Sequence, residues 1–451
     1  MRLSQCMIVK NEEKNIEKAL GWGKGIVWEQ IVVDTGSTDR TVELAQGLGA
    51  KVFYFPWQDD FSAAKNFAIS KASGDWIAFL DADEYFPQED IRRLPALLEQ
   101  YDSAGYCAVM TSCLQVREDE SVFSGGSQVR LFKKMEGLGY RNRIHEELFL
   151  PGGEIAYHMA DATNLLAIYH TGYAGGNVRN KEKAERNIRL LLMDLEEQPD
   201  NYRLMSYIGD SYFGGPESGK AKEWFEKAIR FMPPNPNKND GLNAMTFENL
   251  MLILMEEKKE KELLALYEDA VRRLPEESDF DYIMGRFYVE KRKFEKAAFH
   301  LQKSLSILEN YGNANRGMLV LADLPGTWEL LARCYFQIGA LGNCVKCCVA
   351  LLKADSYRIS ALALLFQAFQ KEAEEGRENA AQVLAFIQQL YNLEQSKDRF
   401  LLVRVTREIG YGSLEKLLRE KCPQEELQAF DEAVKQHEKQ KNKTVSPRQE
   451  D

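Results

Sequence analysis

No run of 18 apolar residues occurs anywhere in the 451-residue chain, so the sequence offers no candidate membrane-spanning helix. Met1-Arg2-Leu3-Ser4 passes straight into a strand pattern without the apolar core of a secretion signal, and the expected location is the cytoplasm. Basic residues are in deficit: 58 Lys and Arg face 69 Asp and Glu, a formal net charge of −11. That balance argues against nucleic acid or an anionic membrane surface as the main partner, since either would favour a basic patch. Cysteine is scarce, and its eight copies sit mostly inside apolar helix or strand patterns, which excludes a disulfide framework. Cys344-Val345-Lys346-Cys347-Cys348 has a metal-like spacing, but it lies within a helical pattern with no second Cys or His cluster nearby, and reads as small-residue core packing. Neither Gly-x-Gly-x-x-Gly nor Gly-x-x-x-x-Gly-Lys-Ser/Thr is present, so a dinucleotide fingerprint and a P-loop are both excluded. What remains, 45% hydrophobic and 28% charged, is a globular chain with room for two or three domains.

The organising stretch is Trp76-Ile77-Ala78-Phe79-Leu80-Asp81-Ala82-Asp83-Glu84, an apolar run that ends in three acids. Five apolar residues without alternation suit a strand buried on both faces, and the acids fall at its carboxyl end, where open α/β sheets hold their ligands. In an extended segment, residues i and i+2 face one side about 6–7 Å apart, so Asp81 and Asp83 are expected to serve one ligand together. A divalent cation, Mn²⁺ or Mg²⁺, carrying a diphosphate is the natural candidate, because such ions prefer oxygen ligands and complete their shells with substrate phosphates.

Before that strand the chain alternates. Leu3–Val9 reads as a strand followed by a helix to about Trp22. Gln30–Asp34 is a second strand, and Thr35-Gly36-Ser37-Thr38-Asp39 is a turn that caps a helix over Arg40–Leu48, with Gly49 where a terminating glycine belongs. Lys51–Phe55 and Phe61–Ala72 are the next strand and helix. Strands alternating with helices predict a parallel sheet of nucleotide-binding type.

Four segments, in order and spacing, resemble family 2 glycosyltransferases of the GT-A fold: Met7-Ile8-Val9-Lys10-Asn11-Glu12-Glu13, Ile31-Val32-Val33-Asp34-Thr35-Gly36-Ser37-Thr38-Asp39-Arg40-Thr41, Ala64-Lys65-Asn66 and Leu80-Asp81-Ala82-Asp83. The resemblance implies a nucleotide-diphosphate sugar donor, in the first place a UDP-sugar. It puts Asn11, Glu12, Asp34, Lys65 and Asp81 around the nucleotide sugar, with Asp34 near the base, and Asp83 on the metal, Asp81 assisting. The family commonly has two acids where this chain has Asp34-Thr35, so base recognition is expected to differ in detail.

From Tyr106 to Tyr173 the pattern changes to β-like runs at Tyr106–Val116, Val129–Lys133 and Leu165–Tyr169, expected to form the acceptor side of a cleft. Three of the chain's five histidines fall at 145, 158 and 170. His145-Glu146-Glu147 and Tyr169-His170-Thr171-Gly172-Tyr173 resemble segments of bacterial enzymes that join a glycosyltransferase domain to helical repeats, the sublancin-type peptide S-glycosyltransferases among them. On that resemblance Glu146 is the general base, with Glu147 and His145 behind it, and His170 is a third metal ligand; Arg130, in the same cluster of titratable groups, is expected to contact the diphosphate or the acceptor. His158 carries no such resemblance and reads as structural.

After Gly175-Gly176 the composition is helical. Gly209, Tyr212, Ala221, Phe225, Ala228 and Pro233 fall at the packing positions of a tetratricopeptide repeat of about 34 residues. Gly285, Tyr288, Ala297 and Leu301 repeat the pattern, as do Trp328, Ala332 and Tyr335, with Ala270 and Pro275 closing a more degenerate unit. The expected organisation is a GT-A domain over 1–176 and helical repeats over 177–395, of which 177–198 form a joining helix. A C-terminal helical region over 396–436 and a disordered tail over 437–451 follow.

These expectations combine into a metal-dependent, inverting hexosyltransferase acting on a peptide or protein held by the concave repeat surface. Three rivals are weaker or less specific. A glycosidase needs its carboxylates on opposite sides of the scissile bond, whereas Asp81 and Asp83 are expected on one strand face. A non-catalytic repeat scaffold would not need an intact Asp81-Ala82-Asp83. A transferase for cell-envelope or capsular glycan shares every residue named so far.

Overall fold

The alternating patterns of the first half assemble into one mixed sheet. In the computed structural model, which describes residues 1–444 except 118, 151–157, 173–176, 214, 216, 313–316 and 375–379, the strands of this half are β1 (Leu3–Val9), β2 (Glu29–Asp34), β3 (Lys51–Tyr54), β4 (Trp76–Phe79), β5 (Glu84–Tyr85), β6 (Ala108–Val116), β7 (Val122–Lys133), β8 (Gly139–Arg141), β9 (Glu147–Phe149), β10 (Met159–Asp161) and β11 (Ala167–His170). Four helices lie among them: α1 (Ile16–Gly21), α2 (Thr41–Gly47), α3 (Phe61–Lys71) and α4 (Gln88–Ser103). The strand order is β3-β2-β1-β4-β7-β6-β11-β5, with β10 also on β6, while β8 and β9 form a separate ribbon. The first four strands are parallel, β7 is antiparallel to both neighbours, and β11 runs antiparallel to β5. The α/β GT-A arrangement expected from the motifs is therefore present.

Burial explains why β4 reads as an unbroken apolar run. Ile77 and Phe79 face Ala68 and Ile69 of α3, while Trp76, Ala78 and Leu80 face Ile91, Leu94 and Leu98 of α4. With helices on both faces, neither set of side chains reaches water, so alternation disappears. The strand ends at Phe79, and Asp81–Asp83 form a turn closed by the Glu84 N–H on the Asp81 carbonyl at 3.0 Å. Asp81 and Asp83 consequently do not share a strand face. The two-residue spacing rule needs extended backbone, and here the backbone turns.

The chain divides into two compact units, Met1–Ile253 and the remainder from Leu254. The first therefore contains α5 (Asn177–Glu197), α6 (Tyr202–Tyr212), α7 (Ser218–Phe231) and most of α8 (Gly241–Glu256) besides the sheet. A boundary at 176 divides the chain by kind of secondary structure; by packing, these first helices go with the sheet. Leu190, Leu191, Leu204 and Ile208 share an apolar cluster with Ile144, Trp57 and Phe61, and Arg189 holds Asp59 through two 2.7 Å hydrogen bonds. The regular elements of the second unit, among the described residues, are helices: α9 (Glu260–Arg273), α10 (Asp279–Glu290), α11 (Phe294–Tyr311), α12 (Met318–Ala322), α13 (Leu324–Gln337), α14 (Leu341–Ala354), α15 (Ile359–Glu374), α16 (Ala380–Ile387), α17 (Ser396–Ile409), α18 (Gly412–Glu420) and α19 (Gln424–Thr444).

Two glycines show why the repeat pattern works. A Cβ on Gly209 of α6 would come within 2.6 Å of the Phe225 ring on α7, and one on Gly285 of α10 within 2.6 Å of Leu301 on α11. Glycine lets each helix pair close over a large side chain, which is how such repeats bury their faces. Cys344, Cys347 and Cys348 are buried thiols within α14, and all eight cysteines are free. Helix α19 continues to Thr444, into the stretch expected to be disordered, in keeping with its Glu, Gln and Lys content; residues 445–451, like Tyr173, Gly175 and Gly176, lie outside the described residues. Among the described residues no helix is long and apolar enough to cross a membrane.

Candidate active site

A cavity of about 920 Å³ opens at the carboxyl ends of β1 and β4 and is walled on its far side by residues 144–148 and by α5 and α6. Lys65, Asp81, Asp83, Arg130, Glu146 and His170 all line it, as do Lys10, Glu12 and Thr35. Glu147 and His145 belong to the same wall. Asn11 and Asp34 are tied into the turn behind it. Asp34 accepts hydrogen bonds from the Gly36 and Ser37 N–H groups at 3.1 Å, and Asn11 Oδ1 accepts one from Thr38 N at 2.7 Å. That Asx-type capping explains an acid followed by Thr-Gly-Ser, and Gly36 supplies the left-handed φ of +113°.

The acid turn divides its work. Asp81 Oδ2 meets Arg130 Nη2 at 2.8 Å, and its Oδ1 lies 3.8 Å from Lys65 Nζ. Arg130 Nη2 also reaches Glu84 Oε1 at 2.6 Å, and Glu84 Oε2 accepts the Asp81 N–H at 2.9 Å. Burial works against ionisation of Asp81, yet Arg130 and Lys65 outweigh it and hold the carboxyl well below the usual range; burial pushes the fully enclosed Glu84 up. One guanidinium thus locks the turn from beneath. Glu84 was visible in the sequence as the third acid of the run, but its role as Arg130's second partner was not.

Asp83 points the other way. Its Oδ2 lies 3.2 Å from His170 Nε2, and its carbonyl accepts from Thr171 N and Oγ1. Residues 87 apart meet here because β11 pairs with β5, which places His170 opposite Glu84. Burial would lower the His170 pKa, but the hydrogen bond to Asp83 outweighs it and the pKa is pushed up to about 10. The two ligand atoms are close enough to share one divalent ion at bonds of about 2.0–2.2 Å. Gln115 supports that fit. Its Nε2 lies 2.9 Å from His170 Nδ1 while its buried Oε1 lacks a hydrogen-bond partner among the described residues; turning the amide over would let Nδ1–H donate to Oε1, and a cation taking the place of the Nε2 proton would then meet the Nε2 lone pair on one side and Asp83 on the other. Glu84, Cys113 and His170 also bring a ligand atom each within 4.8 Å of one another, but Glu84 is already matched by Arg130. Gly172 leaves no room for a side chain: a Cβ there would run into Asp83 Oδ2 and come within 2.9 Å of His170 Nε2.

Across the cavity, Glu146 Oε1 lies 3.3 Å from Lys65 Nζ. Burial opposes the Lys65 charge, but Asp81 and Glu146 outweigh it and raise the pKa, so the buried ammonium joins the two carboxylates. Its position follows from α3: Asn66, the next residue, grips the Tyr140 backbone through both its amide atoms at 2.7 and 2.8 Å. Glu147 is turned outward and paired with Arg141 and Arg203, each at 2.9 Å. His145 lies flat on Tyr207 of α6, with ring centroids 3.9 Å apart and planes 3° from parallel. Arg186 of α5 also lines the cavity, its guanidinium 5.0 Å over the Phe61 ring.

Residues 4–162 match the sequence model of glycosyl transferase family 2. The sheet is a family 2 glycosyltransferase domain. A TPR repeat-containing protein of Synechococcus elongatus is 29% identical over 289 residues, covering 63% of this chain and 68% of that one. The SPbeta prophage-derived glycosyltransferase SunS of Bacillus subtilis is 25% identical over 279 residues, covering 61% and 64%. The chain thus spans about two thirds of the length of these relatives. The crystal structure of S. aureus TarS 1-349 superposes with a TM-score of 0.35 at 13% identity, covering 59% of this chain and 90% of that one, and at that score the likeness carries no argument. The chain therefore joins a family 2 glycosyltransferase domain to a helical, TPR-like region.

Proposed function

We propose that this chain is a metal-dependent, inverting glycosyltransferase that moves a hexose from a nucleotide-diphosphate donor, a UDP-sugar in the first instance, to a peptide or protein recruited by its helical repeats. The observation that carries the reading is the pairing of Asp83 with His170 at 3.2 Å in the same cavity as the Lys65–Glu146 pair at 3.3 Å. Asp83 and His170 are the residues that would hold Mn²⁺ or Mg²⁺, and the ion would offset charge on the departing diphosphate. Asp81 acts through Arg130 and Lys65, fixing the turn that presents Asp83. Glu146 takes the acceptor's proton at its Oε atoms, with Lys65 keeping that carboxylate in place. A peptide acceptor follows from the likeness of His145-Glu146-Glu147 and the His170 segment to peptide-modifying enzymes.

The test is incubation of the chain with a panel of nucleotide sugars, Mn²⁺ and lysate from its own source, read by mass spectrometry. A hexose-sized addition on a peptide is expected. An addition confined to glycan would transfer the acceptor assignment to the cell envelope, and no addition with any donor would end the proposal.

A further inference from the structure

We propose that the helical region is part of the catalytic machinery: Tyr207 and Arg203 of α6 are positioning residues that hold Glu146 in its working place. The inference rests on the reading of Glu146 as general base.

The turn 142–147 has little structure of its own. Asn142 and His145 both sit in the left-handed region, with φ of +73° and +53°, a conformation that side chains other than glycine keep when surrounding contacts impose it. Those contacts come largely from helices that follow the sheet in sequence. The Arg143 N–H donates to Asp194 Oδ2 at 2.8 Å, and its guanidinium pairs with Asp194 and Glu197 of α5. Ile144 enters the cluster of Leu190, Leu191, Leu204 and Ile208. His145 stacks on Tyr207 at 3.9 Å. Glu147 pairs with Arg203, which Asp240 holds from the other side. Arg143, Ile144, His145 and Glu147 are thus fastened to α5 and α6, Ser62 and Phe61 of α3 hold the carbonyls of Asn142 and Arg143, and Glu146 points to Lys65. The stack and the ion pair flank it directly, one residue before and one after. Loss of either lets the turn relax toward ordinary backbone angles, and a displacement of about 1 Å in a reacting group costs on the order of 100-fold in rate.

The test uses the full-length chain, nucleotide sugar, Mn²⁺ and the acceptor peptide found above. Tyr207→Ala is expected to lower kcat about 10- to 100-fold while leaving the donor KM within about twofold, since the Asp83 side of the cavity is untouched. Tyr207→Phe, which keeps the stack without the hydroxyl, should restore kcat. Arg203→Gln should fall between the two. Combined with Glu146→Gln, Tyr207→Ala should add nothing, because a positioning residue has no effect once its target is gone. If Tyr207→Ala unfolds, Tyr207→Leu, which keeps apolar bulk without a flat ring, replaces it with the same expectation. A crippled Glu146→Gln beside a folded, fully active Tyr207→Ala or Tyr207→Leu would overturn the positioning role alone. Losses that multiply fully in the double variant would overturn it too. A fully active Glu146→Gln would overturn the base assignment and the proposal with it.

Discussion

The two sides of the cavity are held by different parts of the chain. The acid turn 81–84 is held by buried charge from within the sheet, where Arg130 spans Asp81 and Glu84 and the β5–β11 pairing brings His170 to Asp83. The Glu146 turn is held instead from outside the sheet, by the Ile144 cluster, the His145–Tyr207 stack and the Arg143–Asp194 and Glu147–Arg203 ion pairs, all to helices that begin some thirty residues later. The two histidines report the contrast. Asp83 pushes His170 up to about 10 against the effect of burial, whereas burial, with Lys183 and Arg203 adding to it, brings His145 down to about 4. A site assembled this way should lose its charge chemistry and its geometry separately, and variants can separate them.

The largest effect is expected from Asp83→Ala. Outer-shell partners of a metal typically cost about 10–100-fold when lost, so removing a ligand should cost more than about 100-fold in donor turnover. The chain should stay folded, because Asp83 contributes no core burial, and its thermal midpoint should fall only by what the lost Asp83–His170 pair contributes. Retained turnover, or a cooperative collapse of the fold, would break the claim that this side acts through charge alone.

Gly172→Ala sharpens the same point. Its Cβ would displace Asp83 from His170 without removing either group, so turnover should fall about 10- to 100-fold while excess Mn²⁺ recovers part of it. No loss would mean the 3.2 Å approach of Asp83 to His170 is not used.

The smallest effect concerns stability. His145 binds its proton at about pH 4 when folded and at about pH 6.5 when unfolded. Between those values the unfolded chain binds more protons, so stability contributed by the neutral ring is complete above pH 6.5 and is lost as pH falls toward 4. The loss should reach at most about 3 kcal/mol. His145→Phe, which keeps the stack but cannot charge, should show a flatter stability profile over pH 4 to 6.5 in urea titrations. Parallel profiles would mean that His145 is not desolvated by its stack on Tyr207.

Much of this was legible in the sequence, for physical reasons. The β4 run announced itself because helices cover both its faces, and the helix expected over Phe61–Ala72 is α3, whose Asp60 cap, a carboxylate accepting from Ala63 N, only the structure shows. The repeats were legible because Gly209 and Gly285 each meet one large side chain at a fixed offset. Asp83, His170, Glu146 and Lys65 were all singled out, and all face one cavity. What escaped were relations across the chain. Gln115 and Gly172 matter because β6, β11 and β5 lie side by side, and no local pattern carries that order. Tyr207 carries no signal in the sequence, and only the fold lays it on His145. The shared face expected of Asp81 and Asp83 failed for a local reason, since β4 stops at Phe79 and the backbone turns before the acids.

The most direct measurement is nucleotide-diphosphate release from a panel of nucleotide sugars by the full-length chain, with Mn²⁺, after EDTA, and after Mn²⁺ is restored. The account predicts release from one donor above all others, its loss on chelation and its return with the ion. Release from no donor, or release that EDTA leaves untouched, would contradict it.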